Sequence, residues 1–319
     1  MNATDKTWPW KILLAVILIG MAASIYGSVK KIDYEWRWNR IPQYFVYQGT
    51  DAHKIPFDGV ITEITQQKKS STIVMTSESG DVETVVVDSD SIRVSAGEDL
   101  FEGDTVGYTS DWYLGPLMKG LWTTIWLSAV SSVIALFIGL FTGLARVAKN
   151  YVVSMLAAIY VEIIRGTPLL VQIFIAYFFI ATVFDLSRNV AGIGALSLFA
   201  GAYVAEIVRA GIQSIPKGQM EAARSLGMTT PQAMKDIILP QAFKRILPPL
   251  SGQFISLIKD SSLVSVIAIT DLTKSGREII TSTFAPFEVW LVVAAMYLII
   301  TSVLSQLVFY MERRLAVSD

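Results

Sequence analysis

The stretch Gly218-Gln219-Met220-Glu221-Ala222-Ala223-Arg224-Ser225-Leu226-Gly227-Met228, followed by Thr229-Thr230-Pro231 and closing on Ile237-Ile238-Leu239-Pro240, reads as a helix–turn–helix. Pro216 suits the first turn of a helix, where its missing N–H would have no partner anyway. Gly227 supplies the left-handed residue that stops this helix. Thr230 is expected to cap the next one, with Pro231 at its first position, and Pro240 to end it. Ala222 and Ala223 present a small-residue surface that lets another backbone approach, and Glu221 adds a fixed charge.

On either side of this stretch the chain is written for lipid. Of its 319 residues 53% are hydrophobic and only 17% are charged, against about 25% in a soluble domain. A bilayer core takes ~20 apolar helical residues. Five charge-free runs approach or exceed that length, at 12–29, 120–145, 166–184, 189–205 and 289–311. A sixth candidate, 246–270, is interrupted by Lys259 and Asp260. About six transmembrane helices are therefore expected. Lys6 and Lys11 precede the first run, as in a signal peptide, but no small-residue cleavage site follows it, so an uncleaved helix is favoured. With the N-terminus inside, the short-loop cations from Arg146 and Lys149 to Lys244 and Arg245 fall on the inner side. Only Arg188, Lys274 and Arg277 then fall in short outer loops. Lys30 and Lys31 oppose this assignment, but they flank a long translocated segment, where the rule is weak. Both termini are expected in the cytoplasm.

Between the first two spans, 31–112 carries 15 Asp and Glu against about half as many Lys and Arg. Short strands are expected at Gly59–Ile64, Thr72–Met75 and Val82–Val87, and at Ile92-Arg93-Val94, with a turn at Ser79-Gly80-Asp81. The run Pro56-Phe57-Asp58-Gly59-Val60-Ile61, with Gly97-Glu98 and Gly103-Asp104, resembles a barrel-sandwich (lipoyl-like) domain. The tip Glu78-Ser79-Gly80-Asp81 lacks the modified lysine of such domains, so no covalent cofactor is expected. The expected division is a helix at 1–30, an extracytoplasmic β-rich insert at 31–112 and a transmembrane domain at 113–319 whose cytoplasmic loop is 216–240.

Several chemistries are excluded. Cysteine is absent and His53 is the single histidine, so neither a thiolate nor a zinc site is expected. A net charge of −1 argues against a nucleic-acid binder. No Gly-x-x-x-x-Gly-Lys-Ser/Thr phosphate loop is present.

The spacing Glu-Ala-Ala, three residues, Gly, nine residues, Ile-x-Leu-Pro is similar to the signature loop of ABC-importer permease subunits. Val161 to Leu170, Gly201 to Arg209 and Ile258-Lys259-Asp260-Ser261-Ser262-Leu263-Val264 resemble segments of the polar amino-acid (histidine, glutamine, glutamate) permeases. The likeness runs from about 116 to 315. It implies a type I importer of the bacterial inner membrane working by alternating access. Its partners would be two ATPases that carry the ATP and Mg, a second permease subunit (identical or not) and an external solute-binding protein. Glu221, Ala222, Ala223, Gly227, Ile237, Leu239 and Pro240 would form the ATPase-docking loop. Residues 1–112 depart from the family pattern. The rival readings are a secondary transporter, for which a clear internal repeat is lacking, and a membrane-anchored sensor or scaffold using the β insert.

Ionisable and polar groups at membrane depth mark a substrate path. Asp260, Ser261 and Ser262 are the first candidates, and Gln172 with Thr167 the second, although a structural hydrogen bond explains Gln172 equally well. Glu206 with Arg209, and Glu162 with Arg165, are expected as i,i+3 ion pairs.

Overall fold

The computed structural model describes residues 8–31 and 34–316; Lys6, the junction Ile32-Asp33 and the side chain of Arg314 lie outside the described residues. Residues 1–40 and 41–319 form two units. In the first, α1 (Trp8–Lys31) is 24 residues long, enough to cross a bilayer. Trp36 and Trp38 stack after it with ring centroids 5.8 Å apart.

The second unit begins with the β insert. Strand β1 (Val46–Lys54) pairs antiparallel with β6 (Thr105–Leu114), Val46 opposite Leu114 and His53 opposite Gly107. Strands β2 (Gly59–Gln66), β3 (Ser70–Ser77), β4 (Val82–Asp88) and β5 (Asp99–Leu100) form a second sheet in the order β4-β3-β2-β5. Alternation places Ile61, Ile73, Met75 and Val87 inside, where they meet Ile55 and Val106. The turn at Gly80 takes a positive φ of 92°, as its missing Cβ permits. Ile92-Arg93-Val94 is not a strand. The Ser89–Ser91 turn comes before it, and the Ser91 hydroxyl accepts from the Tyr108 N–H at 2.8 Å. Only the Arg93 N–H then reaches β6, at Val106.

The insert is rooted without a linker. The Gly115 N–H donates to the Phe45 carbonyl at 2.7 Å, and a Cβ on Gly115 would stand 2.3 Å from the Tyr44 carbonyl oxygen. Ile41 and Tyr44 enter one core with Leu117, Leu272, Ile279 and Val289. The ribbon therefore runs straight into helix α2 (Pro116–Arg146).

Helix α2 packs along α6 (Arg188–Gln213). Gly139 and Gly143 lie so close to Val204 and Val208 that a Cβ would come within 2.4 and 2.6 Å, the small-residue contact typical of membrane helices. Between them, α3 (Tyr151–Gly166) is capped by the Asn150 side chain. Pro168 keeps Thr167 extended, at φ −119° and ψ 147°. The chain bends there by 104° into α4 (Leu169–Phe174), a wide i→i+5 turn at Ile175–Ala181 and α5 (Thr182–Phe184). The span expected at 166–184 is thus preceded by a separate helix that charge gaps did not indicate.

Next come α7 (Lys217–Ser225), α8 (Thr230–Ala233), a wide turn at Met234–Ile238 and α9 (Leu239–Asp260). A 3-10 segment, Ser261–Ile267, ends at Ala268 with φ 63°, and α10 (Leu272–Thr283) and α11 (Pro286–Ala316) complete the chain. Among the described residues four helices are long and apolar enough to cross a membrane, or five if the bent pair counts as one span. Helix α9 is not among them, because Lys244, Arg245, Pro248 and Pro249 occupy its first half.

Candidate functional site

Helix α7 ends in a complete Schellman motif: Met228 N–H donates to the Ala223 carbonyl at 3.2 Å and Gly227 N–H to the Arg224 carbonyl at 3.0 Å. Gly227 holds φ 85° in open space. Arg224 Nη1 closes over the turn onto the Met228 carbonyl at 3.1 Å. The next helix is capped by Thr229, not Thr230. Its hydroxyl accepts from Gln232 N–H, while Gln232 Oε1 accepts from Thr229 N–H at 2.8 Å. The physical reason is reciprocity, since Ala233, three residues after Thr230, has no side chain to complete a capping box. Pro216 stands one residue earlier than expected, at the N-cap.

Pro240 does not end a helix. It occupies the first turn of α9, just after the wide turn at Met234–Ile238. The extra residue in that turn absorbs the missing donor and the ring clash that would break a regular α-helix.

The loop residues divide into two sets. Glu221, Ala222, Leu226 and Gly227 are exposed, Leu226 to 84%. Ala223 is buried, and Ile237 and Leu239 pack with Met220 and Met234 against Val208, Ile212 and Ile215. Arg245 fastens the base, donating to the Ser214 carbonyl at 2.6 Å. The outward set offers an apolar knob, a small-residue surface and one carboxylate; the inward set fixes it to the end of α6. Such a turn can be gripped and can transmit force into the bundle.

Of the second group of candidates, Asp260 is half-buried at the C-terminal end of α9 and Lys259 is exposed. Ser261 is buried, and its hydroxyl donates to the Ile258 carbonyl at 2.8 Å; Ser262 is half-buried. Gln172 Nε2 donates to the Ile164 carbonyl at 2.7 Å and to Thr167 Oγ1 at 2.8 Å, splinting the 104° bend. Leu169 and Ile173 share an apolar core with Leu257, Val264 and Ile267, so α4 and the segment after Asp260 are neighbours. Among the described residues no hydrogen bond or ion pair links Asp260 to Gln172 or Thr167.

The Glu206–Arg209 pair is present, and Glu206 also faces Arg146 at 3.9 Å and Arg165 at 3.8 Å. Arg165 therefore turns to α6 rather than pairing with Glu162. No sequence signal marks this four-residue cluster, whose members come from three helices. At the opposite end of α6, Arg188 Nη1 and Lys274 Nζ both donate to the Ala268 carbonyl, at 3.3 and 3.2 Å.

Apolar helices with an exposed helix–turn–helix at the foot of α6 define a transmembrane permease subunit. The chain belongs to the family of binding-protein-dependent transport system inner membrane components, whose model matches residues 114–317. It has the type I ABC permease fold, and ATP hydrolysis belongs to a separate subunit of such transporters. It is similar to the glutamine transport system permease protein of Escherichia coli (strain K12), 38% identical over 204 residues, covering 63% of this chain and 93% of that protein. The L-cystine transport system permease protein of Bacillus subtilis (strain 168) is 43% identical over 201 residues, covering 62% of this chain and 86% of that one. A solved amino acid ABC transporter with histidines matches with TM-score 0.59 at 42% identity, over 62% of this chain and 94% of its own.

Proposed function

We propose that this permease subunit carries a polar amino acid across a bacterial inner membrane, driven by ATP hydrolysed on partner subunits. The likeness to glutamine and cystine permeases over residues of the family model carries the reading. The exposed Glu221, Ala222 and Gly227 turn is the surface an ATPase grips. ATP binding then favours one of two states of the paired permeases. An external binding protein delivers the solute, ATP and Mg stay on the ATPase, and this chain binds no cofactor. The pore pairs this subunit with a second permease, identical or not, and Asp260, Ser262 and Gln172 line the solute's way.

In this reading residues 1–30 anchor the chain, 31–112 form an extracytoplasmic domain of barrel-sandwich type and 113–319 form the transmembrane domain with its cytoplasmic loop at 216–240. The bent α3–α5 pair and the α9 region supply the remaining membrane segments, six in all, and both termini are cytoplasmic. Proteoliposomes holding the permease, its ATPase and the binding protein should take up a labelled polar amino acid only with ATP. Uptake independent of the ATPase would point to a secondary transporter instead. The topology has its own test, since the chain is naturally free of cysteine. An impermeant maleimide on intact cells, or on spheroplasts where an outer membrane is present, should label Ser79→Cys and spare Ser225→Cys. The reverse pattern would invert the assignment.

A further inference from the structure

Helix α6 carries two rows of side chains that answer to different neighbours. Successive helical residues turn by about 100°, so Val204 and Val208 point one way and Ala202, Glu206 and Arg209 the other. The first row packs with Met220, Ile237 and Leu239 of the loop at 216–240. The second meets α2 and α3. Ala202 and Ala205 are buried with Val161 of α3. Glu206 faces Arg146, the last residue of α2, and Arg165, next to the last of α3. A force on the loop is thus joined, through α6, to the ends of two other helices.

The link to α3 is the one that reaches the solute candidates. Arg165 stands two residues before Thr167, where the chain bends by 104°, and Gln172 splints that bend onto the Ile164 carbonyl. Two α6 side chains three residues apart hold Arg165: the Tyr203 ring, 5.1 Å from its Cζ, and Glu206, 3.8 Å from its Nη1. Among the described residues Glu206 is the only carboxylate in this cluster, shared by Arg146, Arg165 and Arg209. Arg209 grips it with Nε on Oε2 at 3.1 Å and Nη2 on Oε1, and is steadied by Gln213 at 2.6 Å. An isolated exposed ion pair contributes little, but this is not one. The four side chains are between 17% and 40% exposed, and partly buried charges are weakly screened. Without the carboxylate, three guanidiniums repel one another, and the ends of α2 and α3 are pushed away from α6.

We infer that Glu206 is the positioning residue that couples the docking turn to the solute's way. It acts through Arg165, which fixes where the Thr167 bend and α4 lie against α6. A tilt of α6 imposed at the loop then carries the bend with it. The inference rests on the reading of 216–240 as the ATPase's surface, and not on which solute is carried.

The test reads solute imported per ATP hydrolysed, in proteoliposomes holding the permease, its ATPase and the binding protein. Glu206→Gln keeps the shape and removes the charge. It should assemble and hydrolyse ATP, while import per ATP falls about tenfold, inside the 5- to 150-fold range of coupling between sites. Arg165→Gln should give a similar fall, and Arg165→Lys should keep most of the wild-type ratio. The double variant should be no worse than either single one, because both remove the same link; losses that multiply overturn the inference. Glu162→Gln, exposed one turn earlier on α3, should keep the wild-type ratio, and a matching fall there would also overturn it. Should Glu206→Gln fail to assemble, Arg165→Gln decides, since Arg165 is the most exposed of the four at 40%. A wild-type ratio in either assembled variant makes the cluster structural only. The ratio can be taken with any solute the complex imports, so a solute other than a polar amino acid would overturn the functional reading and leave this inference in place.

Discussion

Replacing Gly227 with Val, or Glu221 with Arg, is expected to abolish ATP-driven uptake while the subunit still inserts into the membrane. Gly227 holds φ 85°, and no side chain lies near its Cβ position. Valine there meets no packing clash; its cost is backbone strain alone, roughly 1–3 kcal/mol. The turn escapes by flattening, which breaks the Met228-to-Ala223 and Gly227-to-Arg224 hydrogen bonds and moves Leu226 off the exposed apex. A bias of that size shifts the population of the docked turn by about 5- to 150-fold. Glu221→Arg leaves the turn intact and reverses the sign of the exposed carboxylate. The two variants therefore damage the surface by different routes, one through shape and one through charge. Membrane abundance should be normal, and co-purification of the ATPase and uptake should both collapse. Full uptake by both inserted variants would show that this turn is not where the ATPase docks.

Much of this site was legible because its logic is local. A positive-φ glycine and a proline in the first turn of a helix act within a turn or two of themselves. The departures are local as well. Thr229 caps the helix in place of Thr230, because only Thr229 has Gln232 in reciprocal position. Pro240 reads as a stop in the sequence because the wide turn that accommodates it leaves no mark in composition. Charge gaps found the long apolar helices, but missed the boundary at Thr167, where a single proline bends the path. Strand β1 shows no alternation because neither of its faces is buried over most of its length; its pairing with β6 comes from the ladder. The Glu206 cluster was out of reach for another reason. Arg146 and Arg165 lie on different helices from Glu206, and the way those helices pack, with glycines at 139 and 143 setting the approach, decides that they meet.

Asp260→Asn is expected to reduce uptake sharply, about tenfold or more, with assembly and basal ATPase activity retained. Asp260 is the last residue of α9, and the chain continues directly into the 3-10 segment Ser261–Ile267. It is half-buried, its side chain makes no cap hydrogen bond to the 3-10 segment it precedes, and among the described residues no cation forms an ion pair with it; neighbouring Lys259 is exposed. Adjacent helical residues diverge by about 100°, so the two side chains cannot share one direction. An arrangement this unfavourable suits a carboxylate whose partner arrives from outside. The ammonium of a passing amino acid is such a partner, and a hydrogen bond to a charged group contributes about 1.5–3 kcal/mol, which sets the tenfold scale. Ser261 cannot take over the role, because it is fully buried, whereas half-buried Ser262 can add a weaker contact. Asparagine preserves shape and removes only the charge, so a purely structural aspartate would tolerate it. Normal uptake by Asp260→Asn would place Asp260 outside the solute's path, and loss of the assembled complex would make it a packing residue between subunits.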